Sequence, residues 1–335
     1  MARGAFSSGG GDDPTASRDN GTRASSRGGT GSLVALASLS CVLWGSAVPM
    51  VRLGYRAFGI GPGDTGSQML FAGLRFVLAG VCVTVAWCAI NRSARLPRRG
   101  ELRVMASVAL FQTFGQYLLY YMGLSRATGV NGSLMQGFGV FAALIMSALV
   151  FRLERLTGRK LLGCAIGFAG IMVAGMGERA VGGTGFRLDG EGLLLLATAS
   201  ASVASSILRR HASEADPVLV CGWQFMMGGA ALLAVGLGLG GSLASAGAGG
   251  AGILAWLVMV SAVAYGVWSH LLRSHDVSQV AVFEFLIPVF GVLLSLAILG
   301  PEGTSVGPHT AVALALISVG IYVVESRPAK LWAQG

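Results

Sequence analysis

The sequence predicts an all-α integral membrane protein of ten transmembrane helices, arranged as two inverted five-helix repeats. Three observations carry this. Hydrophobic residues make up 53% of the chain and charged residues 12%, with a mean hydropathy of +0.69. A soluble domain carries roughly 25% charged residues, so these charges are too few to cover a water-facing surface. Second, apolar windows of about 20 residues, the length that crosses a bilayer, recur along the chain with short gaps between them. Third, Lys and Arg concentrate in alternate gaps.

Residues 1–31 are Gly, Ser, Thr, Arg and Asp with almost no large apolar side chains. Such a segment buries too little surface to offset its ordering entropy, so it reads as a disordered cytoplasmic tail. Ten spans follow, at 33–52, 68–90, 104–123, 130–151, 160–177, 190–208, 217–239, 252–271, 279–299 and 308–324, and residues 326–335 form a short C-terminal tail. The windows lack the alternation of barrel strands, and helices satisfy their own backbone in lipid. The set of gaps that includes the N-terminal tail holds 18 of the 24 Lys and Arg, the other set 5, and Arg75 lies inside a span. This bias places both termini in the cytoplasm. The five cysteines all lie in apolar runs, with no C-x-x-C pair, and read as packing residues.

An internal repeat supports an even division. A shift of 148 sets 129–154 over 277–302, bringing Ser147 onto Ser295, Glu154 onto Glu302 and Tyr117 onto Tyr265. A shift of 149 sets "RFVLAGV" (75–81) over "QFMMGGA" (224–230). The repeats then run over 32–178 and 188–325. Each holds five spans, and an odd number inverts one half relative to the other. Inverted repeats around a midplane site recur in transporters.

The stretches "LWGSAVPMVRLG" (43–54), "LRFVLAG" (74–80), "FRLERLTGRKLLGCAIGFAGIMV" (151–173), "FLIPVFGVLLSLAILGPE" (285–302) and "LISVGIYVV" (316–324) together resemble the drug/metabolite transporter superfamily, in particular its ten-helix EamA-type members. The resemblance covers about 33–325. It implies an inner-membrane carrier with a central cavity between the halves, exporting amino acids, metabolites or drugs. Val140 stands where the second half has Pro288, and Glu302 follows a Pro where the family has Gly.

Two charged side chains fall well inside spans, Arg75 and Glu284. Charge at membrane depth costs about 2.5–3.5 kcal/mol on insertion scales and marks a functional candidate. The repeat sets Glu284 over Gln136 and Arg75 over Gln224. This predicts an outer polar layer (Arg75, Gln136) and an inner one (Gln224, Glu284), about 12 Å apart along the membrane normal from the helical rise, with no direct Arg75–Glu284 salt bridge. Glu284 is a candidate proton carrier or amine-binding group; a structural carboxyl is the bland alternative. His270 ends its span on the cytoplasmic side and is a second proton-coupling candidate. For Arg75 the alternative is snorkelling to the outer interface. Gln112 and Gln116 share one helix face and point to a cavity or to interhelical hydrogen bonds. Trp44, Tyr117, Tyr265 and Trp268 can wall a site or pack, and Trp44 matches the family's cavity-facing position. Gly163 and Gly167 form G-x-x-x-G, a close-packing signal.

These residues favour a secondary transporter of small molecules working by alternating access. The alternatives are an integral membrane enzyme on lipid-linked substrates, which needs clustered acid/base or metal ligands, and a scaffold without flux. A G-x-S-x-G at 303–307 lacks the preceding strand of a hydrolase elbow. The expectation is no enzyme, no cofactor, no metal and no nucleic acid. The partners are a small-molecule substrate and the lipid bilayer, with a homodimer left open.

Overall fold

The computed structural model describes residues 22–61, 63–93, 96–124, 138–175, 188–299 and 308–325. Gln136, most of the N-terminal tail, the 303–307 motif with Glu302, and the C-terminal tail lie outside them.

Among the described residues every regular element is helical. We label them α1 (Thr22–Ala57), α2 (Thr65–Asn91), α3 (99–124), α4 (138–150), α5 (Gly158–Gly175), α6 (Leu188–Arg210), α7 (Pro217–Gly238), α8 (Gly247–Ser274), α9 (277–299) and α10 (Pro308–Glu325). A helix lies in each apolar window. Six of them, α1 from Gly31, α2, α6, α7, α8 and α9, are long and apolar enough to cross a membrane, while the apolar parts of α4 and α10 are shorter. The chain is a multi-pass membrane protein. One boundary differs from expectation: α1 begins at Thr22, so 22–31 leaves the expected irregular tail. Hydropathy marks where a helix meets lipid, not where its backbone bonds stop.

Aspartates in the gaps start the helices, since a side-chain oxygen there accepts backbone N–H groups that have no intrahelical partner. Asp64 accepts from Ser67 N (3.0 Å) before α2. Asp216 accepts from Val218 N (2.9 Å) and Leu219 N (3.1 Å) before α7, with Pro217 in the first turn, where no N–H is needed. Asp276 and Gln279 form a capping box at α9.

Two spans are irregular inside. In α3 the stretch Ala109–Gly115 is π-helical, and the Phe111 carbonyl accepts from Gln116 N and from Ser200 Oγ of α6 (2.6 Å). In α9 the residues Val282–Phe285 are 3-10 helical. Pro288 causes this: it lacks an N–H, and its ring crowds the carbonyl four residues back, which is that of Glu284.

Glycines set the helix pairing. On α2, a Cβ on Gly73 would lie 2.8 Å from the Gly229 carbonyl oxygen, and one on Gly80 2.6 Å from the Gly222 carbonyl oxygen. Gly66 and Gly236 meet in the same way. Rising numbers on α2 meet falling numbers on α7, so the two run antiparallel with backbones in contact. The shift of 149 carries Gly73 onto Gly222 and Gly80 onto Gly229, so each glycine packs on the other's repeat equivalent. The helix pair α5 and α10 behaves alike: Gly163 meets the Gly320 carbonyl and Gly170 meets the Ala313 carbonyl. Gly167 leaves a notch for the Phe285 ring of α9, which explains the G-x-x-x-G as packing.

Candidate functional site

Where the two halves meet, five helices bring aromatic and polar side chains together. Tyr117 of α3 and Tyr265 of α8 share a hydrogen bond of 3.0 Å between their hydroxyls. Arg75 of α2 donates through Nη2 to the Tyr117 hydroxyl (3.4 Å), and its guanidinium lies 4.4 Å from the Phe76 ring centroid and 5.7 Å from that of Tyr117. Trp44 of α1 makes edge contacts with Tyr265 and Trp268, each at 4.9 Å between centroids. Phe225 of α7 closes the group, stacked on Phe76 and edge-on to Tyr265.

Arg75 is 5% exposed, so it does not snorkel. Its nearest ionisable neighbours are Tyr117, Tyr121, Tyr265 and Tyr55. Among the described residues no carboxylate pairs with it, and its Nε has no hydrogen-bond partner. Nor is there an ion pair between Arg75 and Glu284.

The other expected site residues lie elsewhere. Gln224 is buried and accepts a short hydrogen bond from Thr113 Oγ1 (2.5 Å), while its Nε2 lacks a partner. The π-helical turn of α3 brings Thr113 to Gln224, opposite Gly228. Gln112 is buried and Gln116 half-buried on α3, and Gln116 Oε1 has no partner among the described residues. Glu284 is half-buried in the 3-10 turn of α9, with Oε2 beside Gly139 of α4 and near Thr198 of α6. His270 is exposed on α8, and no hydrogen bond joins it to Glu284 among the described residues.

A second polar cluster joins the α4–α5 connection to the start of α9. Lys160 of α5 is paired with Glu154 and with Asp276 (3.2 Å). The Glu154 carboxylate also accepts from Ser147 Oγ, from Ser278 Oγ and from Ser278 N (3.1 Å). It thus serves as an acceptor at the N-terminus of α9, where the helix dipole favours a negative charge. The side chains of Lys160 and Glu154 are 9% and 1% exposed, so the α4–α5 connection is bolted to the second half through a satisfied buried network. In the sequence Glu154 reads as a repeat landmark. The recurrence of a serine seven residues before each glutamate was the available signal.

A cavity of about 810 Å3 opens between α2 and α8, lined by Leu78, Cys82, Val83, Trp87, Val258 and other mostly apolar residues. Neither Arg75 nor Glu284 lines it, and on a membrane-embedded chain an apolar flank of this kind faces lipid. Among the described residues no group of three His, Cys, Asp or Glu gathers to hold a metal ion.

Comparison with known proteins fixes the family. The EamA-like transporter family matches residues 31–176 and again 189–326. This chain belongs to it. An uncharacterized transporter of Synechocystis sp. is 27% identical over 85% of this chain and 87% of its own length. A chloroplastic WAT1-related protein of Arabidopsis thaliana is 25% identical over 76% of this chain, which spans 62% of that protein. A solved crystal structure superposes with a TM-score of 0.70 at 23% identity, covering 87% of this chain and 95% of the other, which is a likeness of fold. The double match accounts for the repeat-related packing of α2 on α7 and of α5 on α10. A membrane transporter is what the family and its named relatives support.

Proposed function

We propose that the chain is a secondary transporter that exports small molecules, such as metabolites, amino acids or drugs, across the bacterial inner membrane by alternating access. The observation that carries the reading is the Arg75–Tyr117–Tyr265 group, contributed by both halves where they meet, with Arg75 and Tyr265 buried and Tyr117 half-buried. On this reading ten spans form two inverted repeats, over 32–178 and 188–325, with both termini cytoplasmic. Equivalent helices packed antiparallel, with glycine partners exchanged between halves, are what a two-fold axis in the membrane plane produces. A site on such an axis faces either side when the halves rock. The Lys160–Glu154–Asp276 network then closes the cytoplasmic face, since that face carries the basic loops.

The substrate site on this reading is formed by Trp44, Arg75, Tyr265 and Trp268. Glu284, in a prolyl-distorted turn between the halves, is the group proposed to carry the coupling proton, with His270 as its route to the cytoplasm. The sequence has no Walker motif, so an ion or substrate gradient drives the cycle.

Untargeted metabolite profiling of the medium tests this. Cells overproducing wild type, Glu284→Gln or no carrier are compared at matched expression. A metabolite enriched outside by wild type and not by the variant supports export through Glu284. Enrichment by both leaves export standing and makes Glu284 structural. Enrichment by neither overturns export.

A further inference from the structure

The buried guanidinium of Arg75 has no anionic partner among the described residues. A buried charge left without a counter-charge is costly by several kcal/mol, and proteins keep one where a ligand supplies what is missing. Here Nη2 reaches only a long contact to Tyr117, and Nε is free. The guanidinium edge that carries Nε and an Nη is the one that receives a carboxylate with two parallel hydrogen bonds. The tyrosine hydroxyls around it add neutral donors. No second Arg or Lys is among its nearest ionisable groups, so the site balances one negative charge, not the two of a phosphate monoester. Beyond Tyr265 the site continues onto the faces and edges of Trp44 and Trp268, which suit an apolar or aromatic body.

We propose that Arg75 binds the carboxylate of an organic monoanion whose apolar body lies against Trp44 and Trp268. This rests on the carrier reading and narrows its substrate to carboxylic acids. Tyr117 contacts the guanidinium and Tyr265, from the other half, holds Tyr117 through their shared hydrogen bond, so both act as positioning residues. When the substrate leaves, the Arg75 charge loses its partner, which favours the halves re-arranging only when the site is filled or hydrated.

The test is equilibrium binding to the full chain in lipid nanodiscs, read by tryptophan fluorescence, because Trp44 and Trp268 adjoin the site. The probes are hexanoate, phenylacetate and benzoate at neutral pH, each beside its neutral amide. At least one acid is expected to bind more tightly than its amide by about tenfold or more, the worth of a charge-assisted hydrogen bond. Arg75→Gln should erase that preference, and Arg75→Lys should restore part of it, since an ammonium keeps the charge but loses the two-point fit. Tyr117→Phe, which preserves bulk, should weaken the acid by a few-fold and leave the amide unchanged; it keeps the test decisive if Arg75→Gln does not fold. If no acid outbinds its amide, or if the preference survives Arg75→Gln, the carboxylate site is wrong. The carrier reading is judged separately: protein-dependent secretion of neutral or cationic compounds alongside such a result removes the carboxylate site and keeps the carrier.

Discussion

The hydroxyls of Tyr117 and Tyr265 lie 3.0 Å apart across a sequence separation of 148 residues, the shift that superposes the two halves of the chain. Two equivalent residues can meet only on or near the axis relating their repeats. Removing the Tyr117 hydroxyl leaves that of the buried Tyr265 short of a partner, while removing the Tyr265 hydroxyl leaves Tyr117 only its long contact to Arg75; each loss costs about 1 kcal/mol. Tyr117→Phe and Tyr265→Phe are each expected to lower the thermal midpoint in mild detergent. The double variant should lose less than the two single losses together, because the shared hydrogen bond can be lost only once. Strict additivity would show that the hydrogen bond contributes nothing.

The glycine contacts give a sharper steric prediction. A Cβ at position 80 would fall 2.6 Å from the Gly222 carbonyl oxygen and 2.8 Å from Met226 N. Both are backbone atoms of a regular helix and cannot yield singly. Gly80→Ala should therefore force α2 and α7 apart and cost about 1–3 kcal/mol. Gly100→Ala is the control: nothing lies within 4 Å of its Cβ position, so it should be neutral or slightly stabilising. Thermal unfolding of the two variants side by side decides it.

How much of this was readable from the sequence depends on what each feature needs. Helices at the ten windows needed only hydropathy, which composition supplies. The repeat was legible through Tyr117, Glu154 and Gly80, each of which has a like residue at the shifted position. The burial of Arg75 needed tertiary packing, for an arginine seven residues into a span is equally able to reach the interface. Gln224 looked like a cavity residue, yet a π-helical turn in α3, for which the sequence carries no local signal, delivers Thr113 to it. The role of Lys160 was hidden because its partners Glu154 and Asp276 are set together by folding across the two halves, and in sequence it is one more basic loop residue.

The Lys160 network should act as a closure as well as a brace. Lys160→Met leaves the buried Glu154 carboxylate without its cation, and breaking one member of a buried pair costs about 3–5 kcal/mol. Lys160→Met with Glu154→Gln removes both charges and should recover part of that loss. Cys164, one turn along α5 and buried, reports on opening of the face. In a background lacking the other four cysteines, Lys160→Met should raise its maleimide labelling rate, and the double variant should label at an intermediate rate. Unchanged labelling would mean that this face stays shut without the network.

Glu284 can be separated from a merely structural carboxyl by its response to a gradient. Its carboxylate sits beside Gly139 in a half-buried turn, and the amide of Glu284→Gln has the same shape. That variant should fold with a thermal midpoint close to wild type. In proteoliposomes it should still exchange substrate at equal pH but no longer accumulate it when a pH gradient is imposed. Accumulation that survives the substitution would move the coupling elsewhere.

Asp64 supplies the pH dependence that lies outside the membrane. Its hydrogen bonds with Ser67 hold its carboxyl below the ordinary carboxylate range. A group whose value is depressed in the folded state stabilises the fold above its unfolded value, near 3.9 for aspartate, and the stabilisation is lost as pH falls through the folded value. Asp64→Ala should therefore cost the usual N-cap increment of about 1 kcal/mol at neutral pH, and the gap to wild type should close on acidification below about pH 4. Ser67 also accepts from Ser242 N of the α7–α8 connection (2.9 Å), so the cap ties the start of α2 to the second half. Thermal midpoints of wild type and Asp64→Ala taken from neutral pH down to the acid limit of solubility would show the two curves converging; a constant separation would mean that the charge of Asp64 plays no part in its cap.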